Sequence, residues 1–146
     1  ALSAPSAELR RRYDLRPVAS VKARIACIRE VGAGEGAGYG LAWRADCARR
    51  IAAVSIGYAD GIPRALSGAG RALVRGRSVP VVGRVCMDQL LLDVTEAEGV
   101  RPGDEAVLIG RNKGLEIRAE ELAAQAGTIS NEILSRLGAR LPRVEV

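Results

Sequence analysis

At 146 residues with 48% hydrophobic side chains, the chain has the size and apolar content of one globular domain with a single core. Its formal charge is +5, with Lys22 and Lys113 the only lysines among 22 cationic side chains, yet no Phe and only four Trp or Tyr leave nucleic acid without a stacking platform. Three scattered cysteines (Cys27, Cys47, Cys86) without a CxxC, and the absence of histidine, argue against a disulfide framework, a metal centre and His-activated nucleophiles.

Residues 1–16 read as a polar lead-in, either a linker or the end of a preceding helix (Ala7 to Tyr13). No apolar run approaches the ~20 residues of a membrane span, and the start lacks a signal peptide's layout. The fragment itself is expected to be soluble, and its three scattered cysteines fit reduced thiols in a cytoplasmic compartment. Because it begins at Ala1 rather than Met, it is expected to be cut from a longer chain, with a membrane anchor in an upstream domain of that parent left open. From Pro17 to Val31 the alternation predicts a strand with Val21, Ala23, Ile25 and Cys27 on one side. The glycine-rich run Gly32 to Gly38 follows and closes on Tyr39-Gly40. Next come Ala52-Val54-Ile56 and Arg71 to Val74, then a hairpin turn at Arg75-Gly76-Arg77 into Val79 to Val82.

Val85 to Val94 reads as one strand buried on both faces. Pro102-Gly103 is a type II turn pair feeding Glu105 to Ile109, and Asn112-Lys113-Gly114 is a solvated hairpin tip. The period then changes. Arg118 to Ala126 is expected to be helical with Gly127 as its left-handed cap. A second helix is expected from Thr128, with Ile129, Ile133, Leu134 and Leu137 on one face and Gly138 after it. The fold class is therefore mainly β, a small barrel with one or two short helices near the C-terminus.

Chemistry in this chain must come from Tyr, Asp, Glu, Lys or a partner. Tyr39 sits between glycines that allow sharp turns and close approach, so its phenol can be aimed into a site as a proton-transfer group. Tyr58-Ala59-Asp60-Gly61 follows a strand, with Arg64 three residues on; a tyrosine and an arginine bracketing a turn can line a pocket mouth. If Val85 to Val94 is one strand, period two puts Arg84, Cys86 and Asp88 on one side. Arg84 and Asp88 are then roughly 13 Å apart, either as structural or rim charges or as the lining of a polar channel. Trp43 and Tyr13 read as packing residues. The glycine run does not match G-x-G-x-x-G, so nucleotide binding has little support.

Gly38-Tyr39-Gly40, Ile56 to Gly61, Gly83 to Gln89, and Gly103-Asp104-Glu105 with Leu108-Ile109-Gly110 together resemble the C-terminal domain of the alanine racemase family, the fold-type III pyridoxal-phosphate racemases. The resemblance runs from about residue 17 to the end of the chain, and it implies that residues 17–146 are that family's C-terminal β domain. It implies Tyr39 as the catalytic base on one face of the substrate's α-carbon, with a cofactor-linked lysine serving the other. A phenol is a poor base at neutral pH unless a cation favours its phenolate, and the resemblance assigns that cation to an absent barrel domain. Met87 would offer its backbone N–H to the substrate carboxylate, while Tyr58, Arg64, Arg84 and Asp88 would line the way into the site. Two chains of a homodimer would exchange these elements. Pyridoxal 5'-phosphate would be held mainly by an N-terminal (β/α)8 barrel of the same parent.

One segment departs from the pattern. Alanine-specific members usually read Thr-Ile-x-Tyr-Glu near the last helix, and here the run is Thr128-Ile129-Ser130-Asn131-Glu132. Asn131 thus stands where a tyrosine would contact substrate and cofactor phosphate. A short amide opens volume and brings a donor and an acceptor, which suits a serine hydroxymethyl. The same exchange is typical of serine racemases of the vancomycin-resistance type, which also carry a membrane domain. The expectation is the C-terminal domain of a racemase acting on serine, alanine or both, inactive by itself. The alternatives are an alanine-specific racemase domain and a non-catalytic β-barrel binding module.

Overall fold

The computed structural model describes residues 9, 12, 13 and 17–145. The expected lead-in helix therefore lies largely outside the described residues. Within it, the Tyr13 N–H donates to Leu9 O at 2.9 Å. Tyr13 is exposed beneath the Arg12 guanidinium rather than packed, which corrects its reading as a packing residue. Among the described residues, no helix is long and apolar enough to cross a membrane.

Among the described residues, nine strands carry the fold: β1 (Val21–Val31), β2 (Gly36–Ala37), β3 (Trp43–Arg44), β4 (Arg49–Val54), β5 (Arg71–Val74), β6 (Arg77–Val82), β7 (Leu90–Asp93), β8 (Glu105–Asn112) and β9 (Leu115–Ile117). Two helices follow, α1 (Ala119–Ala126) and α2 (Ser130–Ser135). Strands run antiparallel in the order β1-β4-β7-β6-β5-β8, and β8 pairs back onto β1, so six strands close into a ring. The expected barrel is present as an irregular ring with β9 added as a hairpin on β8.

β1 closes the ring because it serves two partners. Lys22 to Arg24 pair with β8, and Cys27 to Val31 pair with β4. A bulge between Ile25 and Cys27 turns the corner by adding one residue to β1. That extra residue breaks the simple alternation. Val21 and Ile25 face the core as expected, but Ala23 is only half-buried and Cys27 is turned out to solvent.

Both tight hairpins follow from local chemistry. Arg75-Gly76 and Lys113-Gly114 link their strands with both residues at positive φ, the two-residue geometry that matches strand twist. Pro102-Gly103 turns with Gly103 at φ 91°, as the type II reading requires.

The interior is filled by Ile25, Val54, Leu73, Val81, Leu90, Leu92 and Leu108. α1 adds Leu122 and α2 adds Ile133. α1 ends on Gly127 in the left-handed region, as its sequence implied, and the Glu121 carboxylate turns back to accept the Arg118 N–H at 3.0 Å. α2 is shorter than expected. Only Ile133 is buried, while Ile129 and Leu134 are exposed, because a six-residue helix lying on the surface offers one position to the core rather than a full face.

The largest departure concerns Val85 to Val94. Only Leu90–Asp93 is strand. Gly83 takes φ 66° and the Cys86 N–H donates to Gln89 O at 2.9 Å, so residues 83–89 form a turn-rich loop. Arg84, Cys86 and Asp88 therefore do not share a strand face.

Candidate functional site

Two interlocked loops and one small ribbon make the most distinctive surface of the ring. The first loop follows β4. Gly57 is buried, and a Cβ there would lie 2.3 Å from Cys86 O and 2.4 Å from Met87 O. Only glycine lets the second loop, residues 83–89, come this near. The carbonyls of Cys86 and Met87 then accept the N–H groups of Tyr58 (2.9 Å) and Ala59 (3.0 Å). Gly61 does the same on the other side, where a Cβ would lie 2.2 Å from Arg136 O. The Ile56 to Gly61 motif is thus a seam between the 83–89 loop and the end of α2.

Asp60 organises this seam. It is the one buried charged side chain among the described residues, at 5% exposure. One carboxylate oxygen accepts the Gly57 N–H at 2.9 Å, and the other lies 3.3 Å from Arg140 Nε. Arg140 also reaches Asp88 with Nη2 at 2.6 Å. The charge expected to answer Arg84 along a strand is therefore paired with Arg140 instead.

Arg84 turns the other way, toward the ribbon of β2 and β3. The base of that ribbon is closed by the Gly34 N–H donating to Ala45 O at 2.7 Å and the Ala45 N–H donating to Glu35 O at 2.9 Å. Its tip is the turn Tyr39–Leu41. Gly38 has φ 78° and ψ −178°, a region open essentially to glycine alone, and Gly40 has φ 67°. A Cβ on Gly40 would meet Arg84 Nη1 at 3.1 Å, so the guanidinium lies against the turn. Trp43, half-buried, has its Cβ beside Gly83 and seats the ribbon on the same loop. Tyr39 projects outward, 70% exposed, rather than folding into the ring.

Tyr39, Arg84, Tyr58, Met87 and Asp88 are therefore gathered on contiguous loops. Met87 is 53% exposed, and among the described residues nothing accepts its N–H. Arg64 and Asn131 belong to a neighbouring feature. Arg64 lines a surface depression of about 390 Å³ with Thr128, Glu132 and Arg136, to which the Tyr39 and Met87 loops do not contribute. Asn131 is exposed on α2 between Ser130 and Glu132. The Glu132 carboxyl is held below its usual range by Thr128 and then Arg136.

Asp60 and Arg140 escaped sequence reasoning as site residues. Asp60 reads as half of an ordinary Asp-Gly turn, and Arg140 lies 52 residues from its partner Asp88. As for a cofactor, neither lysine stands in this surface. Lys22 is ion-paired with Glu105 at 3.5 Å on β1, and Lys113 occupies a hairpin tip.

The chain is similar to known proteins over nearly its full length. It is 47% identical over 139 residues to an alanine racemase of Halothermothrix orenii, covering 95% of this chain and 37% of that protein. Alanine racemase from Bacillus anthracis with bound L-Ala-P matches with a TM-score of 0.88 at 39% identity, covering 97% of this chain and 36% of that one. Alanine racemase from Bartonella henselae with covalently bound pyridoxal phosphate matches with a TM-score of 0.80 at 34% identity, covering 87% and 34%. The chain thus spans little more than a third of the length of these relatives. The family described as alanine racemase, C-terminal domain, matches residues 18–145, and the chain belongs to that family.

Proposed function

We propose that this chain is the C-terminal β domain of a pyridoxal-phosphate-dependent racemase of small amino acids, with Tyr39 as the proton-transfer group it lends to a partner subunit's site. The observation that carries this reading is the Tyr39 phenol, exposed on a ribbon tip whose backbone only Gly38 and Gly40 allow. A side chain meant for its own core would not be mounted there. When bound by the remainder of the parent chain, pyridoxal 5'-phosphate supplies the electron sink that makes an α-proton removable. Tyr39 would take or return that proton on one face of the carbon. A lysine from outside this chain would serve the other.

Met87 would donate its unpaired backbone N–H to the substrate carboxylate. The side chains of Tyr58, Arg64, Arg84 and Asp88 would flank the way in. The N-terminal (β/α)8 domain of the same parent and a second subunit are the proposed partners. The similarity to alanine racemases makes alanine the first substrate to expect. Asn131 motivates serine as a second, since an amide can hydrogen-bond a hydroxyl that a phenol would crowd. A membrane anchor of the vancomycin-resistance type would have to come from a segment outside this chain.

The test is racemisation of L-alanine and L-serine, assayed in parallel, by the full-length parent and its Tyr39→Phe variant. Loss of one proton-transfer group should lower turnover about a hundredfold or more. Undiminished racemisation by Tyr39→Phe would remove the reading. In the same assay Asn131→Tyr should move the serine-to-alanine ratio toward alanine.

A further inference from the structure

Met87 sits on a loop without regular structure, yet a backbone N–H that binds a carboxylate must be held still. The two backbone hydrogen bonds from Tyr58 and Ala59 fix only the carbonyl side of this loop. The other side is held through a side chain. Asp88, directly after Met87, accepts from Arg140 Nη2 at 2.6 Å, and Arg140 Nε lies 3.3 Å from the buried Asp60. Asp60 is a firm anchor because its second oxygen is already engaged by the Gly57 N–H. The segment bearing Arg140 is itself tied down: the Gly138 N–H donates to Asp60 O at 3.2 Å, and the Leu141 N–H to Gly138 O at 3.3 Å.

We propose that Arg140 is a positioning residue for substrate-carboxylate binding, joining Asp88 of the Met87 loop to the buried Asp60. This rests on the function proposed above for Met87. Two physical effects act together. A planar, five-donor guanidinium spans two carboxylates from one fixed position, which a point cation cannot do equally well. It also neutralises Asp88, whose negative charge would otherwise stand one residue from an incoming anion. Without Arg140 the loop keeps its backbone hydrogen bonds but loses the side-chain hold at Asp88, and the anion meets an uncompensated carboxylate. Because the substrate carboxylate is bound equally before and during the reaction, the loss should fall on KM rather than kcat.

The experiment uses the full-length parent with Arg140→Ala, Arg140→Lys, Asp88→Asn and the Arg140→Ala/Asp88→Asn pair. Propionate, a carboxylate without an amino group, serves as a competitive probe. Arg140→Ala should raise the KM for L-alanine and the inhibition constant of propionate together by about tenfold, with kcat changing less than about threefold. Arg140→Lys should fall in between. The double variant should be no worse than Arg140→Ala, since it also deletes the repelling charge. Unchanged KM and propionate inhibition in Arg140→Ala would overturn the proposal, as would a loss confined to thermal stability or kcat. Should Arg140→Ala fail to fold, Arg140→Lys decides, because it keeps the charge and loses the planar fork: it must raise both constants, and no rise overturns the proposal. Tyr39→Phe separates the two readings. If it is inactive while Arg140→Ala binds normally, only the positioning role falls; if it is active, the reading of the whole site falls.

Discussion

A methyl group on Gly57 would press into two carbonyl oxygens, at 2.3 and 2.4 Å, although its own φ of −151° is open to any residue. The requirement for glycine there is therefore one of contact, not of backbone. Gly68 is the opposite case, with φ 68° and nothing within 4 Å of a built Cβ. Gly68→Ala should cost about 1–2 kcal/mol from the left-handed backbone alone. Gly57→Ala should cost about 3 kcal/mol or more, because the Tyr58 and Ala59 hydrogen bonds must open to make room. Thermal or denaturant unfolding of the two variants side by side checks this. Equal losses would mean that the 83–89 loop yields freely and is not locked to the seam. The same contrast explains what the sequence disclosed at this scale. Glycines flanking Tyr39 announce an unusual backbone by local composition. The Arg140–Asp88 pair has no local signature, since only the closed ring brings the two together.

Between elements, the clearest electrostatic join is Glu116 of β9. Its carboxylate accepts from Arg118 Nε at 2.8 Å and from Arg111 Nε at 3.0 Å, linking the β8–β9 hairpin to the start of α1. Arg118 first, and Arg111 after it, hold the Glu116 carboxyl below its usual range against the opposing effect of burial. A carboxyl depressed in the folded state stabilises the fold above its unfolded pKa, and that contribution fades as pH falls through the folded value. Glu116→Gln should therefore lower stability at neutral pH by at most about 1 kcal/mol, since both arginines reach solvent. Parent and variant should converge as pH falls below the depressed folded value. A deficit that persists at such acidity would show that shape, not charge, matters there.

Elements also reveal where pattern reading works and where it stops. The hairpin turns and α1 with its glycine cap were legible because short-range chemistry decides them. Val85 to Val94 misled because its apolar run has strand composition, while the decisive hydrogen bonds come from Tyr58 and Ala59, some 28 residues earlier. β1 misled for a related reason: its corner bulge exists to close the ring, and alternation cannot foresee closure.

At the scale of the molecule, the ring has a continuous core, while its candidate site leaves large side chains exposed. Tyr39, Leu41, Tyr58 and Met87 are exposed large side chains on and around the candidate site. The relatives that match this chain are nearly three times its length. We therefore expect residues 1–146 expressed alone to unfold cooperatively, as a closed six-stranded core should, yet to neither hold pyridoxal phosphate nor racemise alanine. The reason lies in the lysines. A cofactor-linking amine must be poised in a concave, partly desolvated site, and Lys22 is spent on Glu105 while Lys113 stands on a hairpin tip. Mixing the isolated domain with cofactor, dialysing it and recording absorbance and alanine racemisation tests this. A stoichiometric bound-cofactor band, abolished by replacing either lysine with methionine, would overturn the division of labour proposed here and place the reacting centre within this domain.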